Sequence, residues 1–497
     1  MLRTLNLITT KHMTGIRREN EMSLFQGVDW GTVILYLVIT LVGLAAVFSA
    51  SYVEDAEDFF SFKHFYVKHM MWLGISYVIA LVILLLDRSL WHKWAYIICL
   101  VTLAIVLLTF TPLGKVVNGA RAWLGVGGFT LQPMEIAKVG VSLAVARMMS
   151  KYEFTVQRFS DMVKVLALLF VPFCIAVLQN DTGSGVVFCS FLFMFYREGL
   201  DNWICVPAIF FVALLILSFL LTPGVLLLSL IFIFTFSAGM LMRDRWKVCV
   251  KYVAVLMFVS TMLFLLLSFV APSKFDFYDC LLYTTMVSMI GVVVYAYRAN
   301  IRKLYFLVLI FFVSVICLPT SDMMFRHLRA HQQDRIRTFL GLHEDRDLLY
   351  NVTQSKIAIG SGGFAGQGYL DGVMVRYGRV PERHTDFIFC TIGEEFGFIG
   401  VVVLFVLLAM LILRIMRMGD RQLETFGRVY CYCVASILFF HCFINIGMTM
   451  GVVPIMGIPL PLVSYGGSSL LGFTMLIFIA IALDASPIKS QSSLLKW

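Results

Sequence analysis

The chain has 497 residues, of which 60% are hydrophobic and only 14% are charged. Soluble domains usually carry about a quarter charged residues, so this composition excludes a soluble globular protein. The net charge of +9 comes from basic residues scattered between apolar runs, which argues against the clustered basic face of a nucleic-acid-binding protein.

About fourteen apolar runs follow one another along the chain, most of them close to the roughly 20 residues that cross a bilayer. Their positions are 31–51, 69–86, 92–111, 133–149, 163–179, 183–197, 203–221, 224–242, 249–270, 279–298, 304–320, 387–413, 429–450 and 467–484. They predict an all-α, polytopic membrane helical bundle with about fourteen transmembrane helices. The runs at 133–149 and 183–197 are short and contain polar residues, which indicates helices inside the bundle.

Lys and Arg concentrate in alternate connecting segments. If the N-terminal tail lies in the cytoplasm, the short outer loops hold only Lys63, Lys68, Lys115, Arg121 and Lys274. The cytoplasmic segments hold most of the others, as the positive-inside rule requires. The charge pattern therefore supports both the number of helices and their orientation.

The chain divides into six regions on this basis. They are a cytoplasmic tail 1–30, first core helices 31–202 with an outer loop 112–133, a region 203–320, a long outer loop 321–386, last core helices 387–484, and a cytoplasmic tail 485–497. Segment 451–466, GVVPIMGIPLPLVSYG, is too apolar for open water and too rich in Pro and Gly for a spanning helix, so it predicts a re-entrant segment packed in protein. The long loop begins with a basic stretch around 326–340 that predicts an amphipathic surface helix. These irregular segments share the outer side, so a site is expected there.

Charged residues occur near several predicted outer helix ends. Glu135 and Lys138 are three residues apart and can pair on one helix face, either as a neutralised structural pair or as part of a site. Asp181 is either a helix N-cap or a charged group of the site.

The long loop contains two further motifs. QSKIAIGSGGFAGQGYLDG lacks P-loop spacing, so its glycines beside Lys356 form either a flexible hinge or a close approach to a bulky ligand. VPERHTDFIF carries Glu382, Arg383, His384 and Asp386 just before an apolar helix. Asp386 is either an N-cap or a catalytic carboxylate, which its acidic and imidazole neighbours favour.

These segments resemble the signature blocks of the SEDS family (shape, elongation, division and sporulation), in that family's order. The blocks are NGARAWLGVGGFTLQPMEIAK, QNDTGSG, QSKIAIGSGGFAGQG, VPERHTDFIFCTIGEEFGFIG and GIPLPLVSYGGSS. The form PERHTDFIF resembles RodA-like members more than FtsW-like ones. Met134 departs from the family's QPSE, and 180–184 departs from its PDLGT. The family usually has about ten helices, so about four helices in 203–320 are extra by this resemblance.

The resemblance implies a peptidoglycan glycosyltransferase of the bacterial cytoplasmic (inner) membrane. Such enzymes polymerise lipid II, the undecaprenyl-pyrophosphate-linked disaccharide-pentapeptide, into β-1,4-linked glycan strands on the outer face, here during cell elongation and shape maintenance. By this resemblance Asp386 is the catalytic residue of an inverting transfer. Substrate-binding residues are then expected in the same set of blocks, namely Trp123, Arg121, Glu135, Lys138, Lys356, Glu382, Arg383, His384 and Asp181.

The resemblance also implies a class B penicillin-binding protein as the partner that cross-links new strands. No cofactor is required by the motifs, although a divalent cation such as Mg²⁺ or Mn²⁺ is one way to neutralise the leaving pyrophosphate. Three alternatives stay open: a division-specific FtsW-like polymerase, a flippase for the lipid-linked precursor, and a non-catalytic scaffold. A transporter keeps its site near the membrane midplane, whereas these motifs lie at outer helix ends.

Overall fold

The computed structural model describes residues 27–52, 61–62, 64–117, 119–126, 129–201, 207, 210–211, 214, 217–218, 221–242, 246–270, 276–327, 333–335 and 346–485. Most of these residues are helical, which confirms the predicted all-α class. The chain divides into two compact units, one formed by 1–200 with 346–497 and the other by 201–345. Most of the amphipathic helix predicted around 326–340 lies outside the described residues.

Seven helices lie in the described part of 27–200, the first half of the first unit. They are α1 (Trp30–Ser51), α2 (Phe65–Leu85), α3 (Arg88–Leu107), α4 (Pro133–Met149), α5 (Phe159–Leu178), α6 (Thr182–Val186) and α7 (Phe191–Arg197). Asp29 caps α1 by accepting a hydrogen bond from the backbone N–H of Thr32 at 3.2 Å. Pro133 occupies the first turn of α4, where the missing N–H of proline leaves no helical hydrogen bond unmade. Local sequence thus accounts for both helix starts.

A small antiparallel sheet lies between α3 and α4. Its strands are β1 (Gly114–Val117), β2 (Ala120–Val126) and β3 (Phe129–Leu131), with Lys115 opposite Trp123 and Gly125 opposite Thr130. The sequence predicted an outer loop here without strands. β1 and β3 have only four and three residues, and β2, with seven, does not alternate strictly between apolar and polar residues, so none shows the pattern by which a strand is recognised.

Five helices lie within 346–485, the described part of the second half of the first unit. They are α12 (Arg346–Ser361), α13 (Val373–Arg376), α14 (Ile388–Arg421), α15 (Thr425–Thr449) and α16 (Gly467–Asp484). In α15 and in α16, 78% of the most apolar stretch is buried, more than in any other membrane-crossing helix among the described residues. Both helices pack against α4. Polar side chains on these three helices must therefore find partners within the protein.

The described residues of the second unit include four long helices around a core of their own. They are α8 (Pro223–Leu241), α9 (Trp246–Val270), α10 (Phe277–Arg298) and α11 (Arg302–His327). Leu227, Ala296 and Val315 are fully buried between them, and the rings of Phe234 and Phe311 stack at 4.4 Å. This unit occupies the part of the chain in which about four extra helices were predicted.

Eleven helices within the described residues are long and apolar enough to cross a membrane. They account for eleven of the apolar runs. Of the other three, 133–149 forms α4, which has 17 residues, and 183–197 is divided between α6, a 3₁₀ turn at Val187–Ser190 and α7. Run 203–221 lies mostly outside the described residues. The chain is a multi-pass membrane protein.

Candidate active site

Asp386 lies in a short non-helical segment, 381–387, directly before α14. The helix begins at Ile388 with Phe387 at the N-cap position, one residue later than an N-cap role for Asp386 requires. The backbone turns through hydrogen bonds from the N–H groups of Thr385 and Phe387 to the carbonyl of Glu382, at 3.1 and 3.2 Å. Of the two alternatives for Asp386, the structure does not favour the N-cap.

Segment 451–466 faces Asp386. It contains no helix and much of it is buried, as expected of a chain stretch packed inside protein. A Cβ atom on Gly457 would lie 3.5 Å from Oδ2 of Asp386. The backbone N–H of Tyr465 donates to the carbonyl of His384 at 2.9 Å. Segments 381–387 and 451–466 are therefore in direct contact, although about 70 residues separate them along the chain.

The neighbours of Asp386 connect its segment to the first two helices. Nε of Arg383 donates to the carbonyl of Ala50, at the end of α1, at 2.6 Å. The imidazole of His384 stacks on Phe65, at the start of α2, with ring centroids 4.0 Å apart. Glu382 is exposed and accepts a hydrogen bond from the hydroxyl of Thr385 at 2.8 Å. These contacts hold the segment at one end of the bundle.

Acidification is expected to weaken the packing of His384. Burial lowers the pKa of His384 below its ordinary 6.5, with Glu382 opposing this shift and Arg383 adding to it. Its contribution to stability is therefore complete above about pH 6.5 and is lost as the pH falls toward the lowered pKa, because only the unfolded state binds the proton in that window. We expect the unfolding temperature to fall between about pH 7 and 5 more steeply in wild type than in His384→Phe, which keeps the stacked ring but does not titrate. Parallel pH profiles of the two proteins would contradict this.

Arg121 and Trp123 lie on β2 and are positioned by the sheet. The backbone N–H of Arg121 donates to the carbonyl of Gln179 at 2.9 Å, and its Nη2 donates to the carbonyl of Thr111 at 3.1 Å. The side chain of Arg121 is exposed, and that of Trp123 is half-buried. The sheet thus presents a cation and an aromatic ring at the same end of the bundle as the turn between α5 and α6.

Asp181 is the N-cap of α6, which is one of the two roles that the sequence left open for it. Its carboxylate accepts hydrogen bonds from the backbone N–H of Ser184 at 3.2 Å, from the hydroxyl of Ser184 at 2.8 Å and from Nε2 of Gln132 at 2.6 Å. The backbone N–H of Gln132 in turn donates to Ser468 of α16 at 2.8 Å. Asp181 therefore joins α6 to the beginnings of α4 and α16.

Glu135 and Lys138 form a buried ion pair on α4. Nζ of Lys138 lies 2.7 Å from Oε1 of Glu135, and the two side chains are 1% and 2% exposed. The same Nζ lies 2.8 Å from Nε2 of His441 on α15. Within the described residues, Oε2 of Glu135 has no hydrogen-bond partner. This burial fits a structural pair better than direct contact with a ligand.

The glycine-rich loop after α12 lies against α14. A Cβ atom on Gly362 would come within 1.9 Å of the carbonyl oxygen of Gly393, and one on Gly366 within 2.1 Å of that of Glu395. Gly366 also has a φ of +86°, a conformation open mainly to glycine. These glycines therefore allow the loop to approach the backbone of α14 closely. Lys356, on α12, is exposed and lies over Gly451, at the start of segment 451–466.

Glu394, in the first turns of α14, holds the same loop. Its carboxylate accepts hydrogen bonds from the backbone N–H groups of Met374 and Val375, at 2.7 and 3.0 Å, and so caps α13. The next residue, Glu395, accepts from the N–H of Leu370 at 3.2 Å and from the hydroxyl of Ser49. The two carboxylates at this helix entrance therefore organise the loop that precedes segment 381–387.

Two buried residues of α15 belong to this arrangement and did not appear among the candidates from sequence. Nδ2 of Asn445 donates to the carbonyl oxygens of Asp386 and Ile458, at 2.8 and 2.7 Å. His441 contacts Lys138 and the carbonyl of Pro459, the latter at 3.3 Å. A polar residue inside a membrane helix is itself a signal of function, and HCFIN within run 429–450 carried that signal.

Comparison with known proteins identifies this polytopic helical membrane protein more closely. The FtsW/RodA/SpoVE family model, described as "Cell cycle protein", matches residues 30–234 and 227–488. Peptidoglycan glycosyltransferase RodA of Treponema pallidum is 30% identical over 89% of this chain and 94% of its own length. MrdB of Escherichia coli K12, also a peptidoglycan glycosyltransferase, is 29% identical over 77% of this chain and 74% of its own. The chain belongs to the FtsW/RodA/SpoVE family.

Solved structures agree on the fold. A chain from a peptidoglycan synthase complex that coordinates polymerization and crosslinking aligns with a TM-score of 0.57 at 21% identity, covering 92% of this chain and 98% of that one. The crystal structure of RodA from Thermus thermophilus aligns with a TM-score of 0.53 at 18% identity, covering 94% of this chain and 98% of that one. A probable FtsW of Trichlorobacter lovleyi is 25% identical over 94% of this chain and 98% of its own length.

Proposed function

We propose that the chain polymerises lipid II into β-1,4-linked glycan strands at the outer face of the bacterial cytoplasmic membrane. The chain is a peptidoglycan glycosyltransferase by its family, and the substrate and the location are the parts proposed here. The observation that carries the proposal is the placement of Asp386. Its family block begins with the non-helical turn 381–387, and Gly457 of segment 451–466 lies beside the carboxylate of Asp386.

The transfer requires a base that accepts the proton of the acceptor hydroxyl and cations that stabilise the leaving pyrophosphate. The acceptor sugar hydroxyl attacks the anomeric carbon of the donor, a carbon–oxygen bond forms, and the bond from that carbon to the pyrophosphate oxygen breaks with inversion. The carboxylate of Asp386 takes the proton of the hydroxyl as the new bond forms, because a neutral hydroxyl is a poor nucleophile. The lipid pyrophosphate leaves with the electron pair of the broken bond, and cations nearby stabilise that charge.

Arg383 and Arg121 are the cations assigned to the pyrophosphate. Arg383 uses only Nε in a hydrogen bond among the described residues, which leaves its two terminal nitrogen groups for a bidentate contact with phosphate oxygens. Arg121 is exposed on β2. Lys138, which was a third candidate, is fully buried and paired with Glu135, so we assign it to the scaffold of the site.

A divalent cation such as Mg²⁺ or Mn²⁺ stays part of the proposal. Among the described residues no group of three or more His, Cys, Asp or Glu side chains could hold a metal ion. Mg²⁺ in phosphoryl sites is usually held by one or two carboxylates together with the substrate's phosphates. Asp386 and Glu382 are the two carboxylates of segment 381–387 and would be the residues to hold such a cation, which would neutralise part of the pyrophosphate charge.

We further propose a role in cell elongation, together with a class B penicillin-binding protein that cross-links the strands. The RodA-like form of PERHTDFIF supports elongation, as does the 30% identity with a RodA over 89% of this chain. The fold likeness to a chain from a synthase complex that couples polymerization to crosslinking supports such a partner. Rescue of a strain depleted of its elongation polymerase, but not of one depleted of its division polymerase, would distinguish the two roles.

Purified chain in lipid vesicles, incubated with labelled lipid II and the partner, is expected to yield glycan polymers that a muramidase digests. A flippase would instead move labelled precursor between leaflets without lengthening it, and a scaffold would do neither. Vesicles containing the partner alone are the control. Polymer formation that does not depend on this chain would overturn the proposed function.

A further inference from the structure

Asn445 makes two hydrogen bonds that join separate parts of the site. It lies on α15 and is fully buried. Its Nδ2 donates to the carbonyl oxygen of Asp386 at 2.8 Å and to that of Ile458 at 2.7 Å. Both partners are acceptors only, so the amide must present its NH₂ group to them. One side chain thus ties the backbone of Asp386 to segment 451–466.

His441 makes the matching contact one helical turn earlier. Residues four apart lie on the same helix face, and both side chains point to segment 451–466. Nζ of Lys138 can only donate, so Nε2 of His441 accepts and its Nδ1 carries the hydrogen. That Nδ1–H faces the carbonyl oxygen of Pro459 at 3.3 Å. His441 therefore connects the buried ion pair of α4 to the residue next to Ile458.

Segment 451–466 depends on such donors. It is not helical, and Pro454, Pro459 and Pro461 lack backbone N–H groups, so its carbonyls have few partners of their own. Carbonyl groups within the membrane region must nevertheless be hydrogen-bonded. Asn445 and His441 supply donors to two consecutive carbonyls, those of Ile458 and Pro459. The segment beside the carboxylate of Asp386 is thus held from α15.

We propose that Asn445 is a positioning residue for Asp386, and that His441 fixes the segment to which Asn445 ties it. This inference rests on the proposed function, in which Asp386 accepts the proton of the acceptor hydroxyl. General-base catalysis needs the carboxylate within hydrogen-bond reach of that proton. A misplacement of about 1 Å from a distant substitution can lower the rate about 10²-fold. The backbone hydrogen bond of Asn445 prevents such a shift.

Asn445→Asp tests the inference with little change in the shape of the side chain. A carboxylate cannot donate to the two carbonyls, and it places negative charge against them. We expect its kcat for lipid II polymerisation to fall about 10²-fold while KM stays close to wild type. Asn445→Ala, which removes the donor without adding charge, is the second variant. Ser436→Ala is the matched control, since Ser436 is equally buried on α15 and, among the described residues, donates only to the carbonyl of Tyr432 in the same helix.

His441 gives a rescue comparison. His441→Asn keeps an N–H donor near the position of Nδ1, whereas His441→Phe keeps the ring without any donor. We expect the asparagine variant to retain more of the wild-type kcat than the phenylalanine variant. Equal activities would show that the bond to Pro459 does not matter to the reaction.

Hydrogen exchange provides a readout that does not depend on turnover. Amides of 381–387 and 458–464 are expected to exchange faster in both Asn445 variants, and at the wild-type rate in Ser436→Ala. Unchanged exchange, or wild-type kcat in Asn445→Asp, would overturn the positioning role alone. If wild type with its partner makes no polymer, the proposed function itself is overturned, so the two failures are distinguishable.

Discussion

Asp386→Asn is expected to make essentially no glycan from lipid II. The substitution keeps the size of the side chain and the backbone hydrogen bond from Asn445, but an amide cannot accept the proton of the acceptor hydroxyl. Loss of a general base typically lowers a rate about 10²–10⁴-fold. The measurement is single-turnover polymerisation of labelled lipid II by purified chain with its partner, at equal amounts of folded protein.

Asp371→Asn is the matched control for this variant. Asp371 is an exposed acidic residue of the preceding loop, and the same chemical change there should leave polymerisation unaltered. An Asp386→Asn protein that polymerises at near the wild-type rate would refute the catalytic assignment. Glu382, the exposed carboxylate of the same segment, would then be the next residue to test.

Lys138→Met is expected to destabilise the protein strongly. Removing one partner of a buried ion pair typically costs about 3–5 kcal/mol, because the other charge is left buried without compensation. Here the remaining charge is Glu135, whose second oxygen has no hydrogen-bond partner among the described residues. The double variant Glu135→Gln with Lys138→Met removes both charges and is expected to recover most of the loss. Unfolding temperatures in detergent measure both effects.

A pair in the same chain whose lysine is exposed, although its aspartate side chain is only 9% exposed, provides the control. Nζ of Lys164 lies 2.9 Å from Oδ1 of Asp161 at the same spacing of three residues, but the lysine side chain is 63% exposed. Lys164→Met should cost no more than about 1 kcal/mol, because solvent screens such pairs. Similar unfolding temperatures for Lys138→Met and Lys164→Met would contradict this prediction, because burial of the Glu135–Lys138 pair would then not increase its contribution to stability.

Hydropathy predicted the membrane helices well because each long run is a sum over about 20 residues, and single exceptions do not change the sum. The same averaging hid Asn445 and His441, since two polar side chains scarcely alter the mean of run 429–450. The sheet at 114–131 was not predicted from the sequence, for a different reason. Its strands are short, and they pair with each other over only a few residues.

Asp386, Glu135 and Lys138 could be singled out from sequence as candidates because charges near membrane helices are rare and expensive. Their surroundings could not be found in this way. The contact between 381–387 and 451–466 joins residues far apart in the chain, and no local pattern specifies such a pairing. For Asp181 the residue was identified but its role was not. A sequence does not distinguish an N-cap from a ligand-binding carboxylate, and only the partners Ser184 and Gln132 show which one it is.

The separate core of the 201–345 unit has an evolutionary consequence. Every candidate for catalysis or substrate binding lies in the other unit, while α8–α11 enclose fully buried side chains of their own, such as Leu227 and Val315. Substitutions at sites that share no partners usually contribute independently to stability. The unit that contains α8–α11 can therefore change in length or composition at a different evolutionary rate from the residues that surround Asp386.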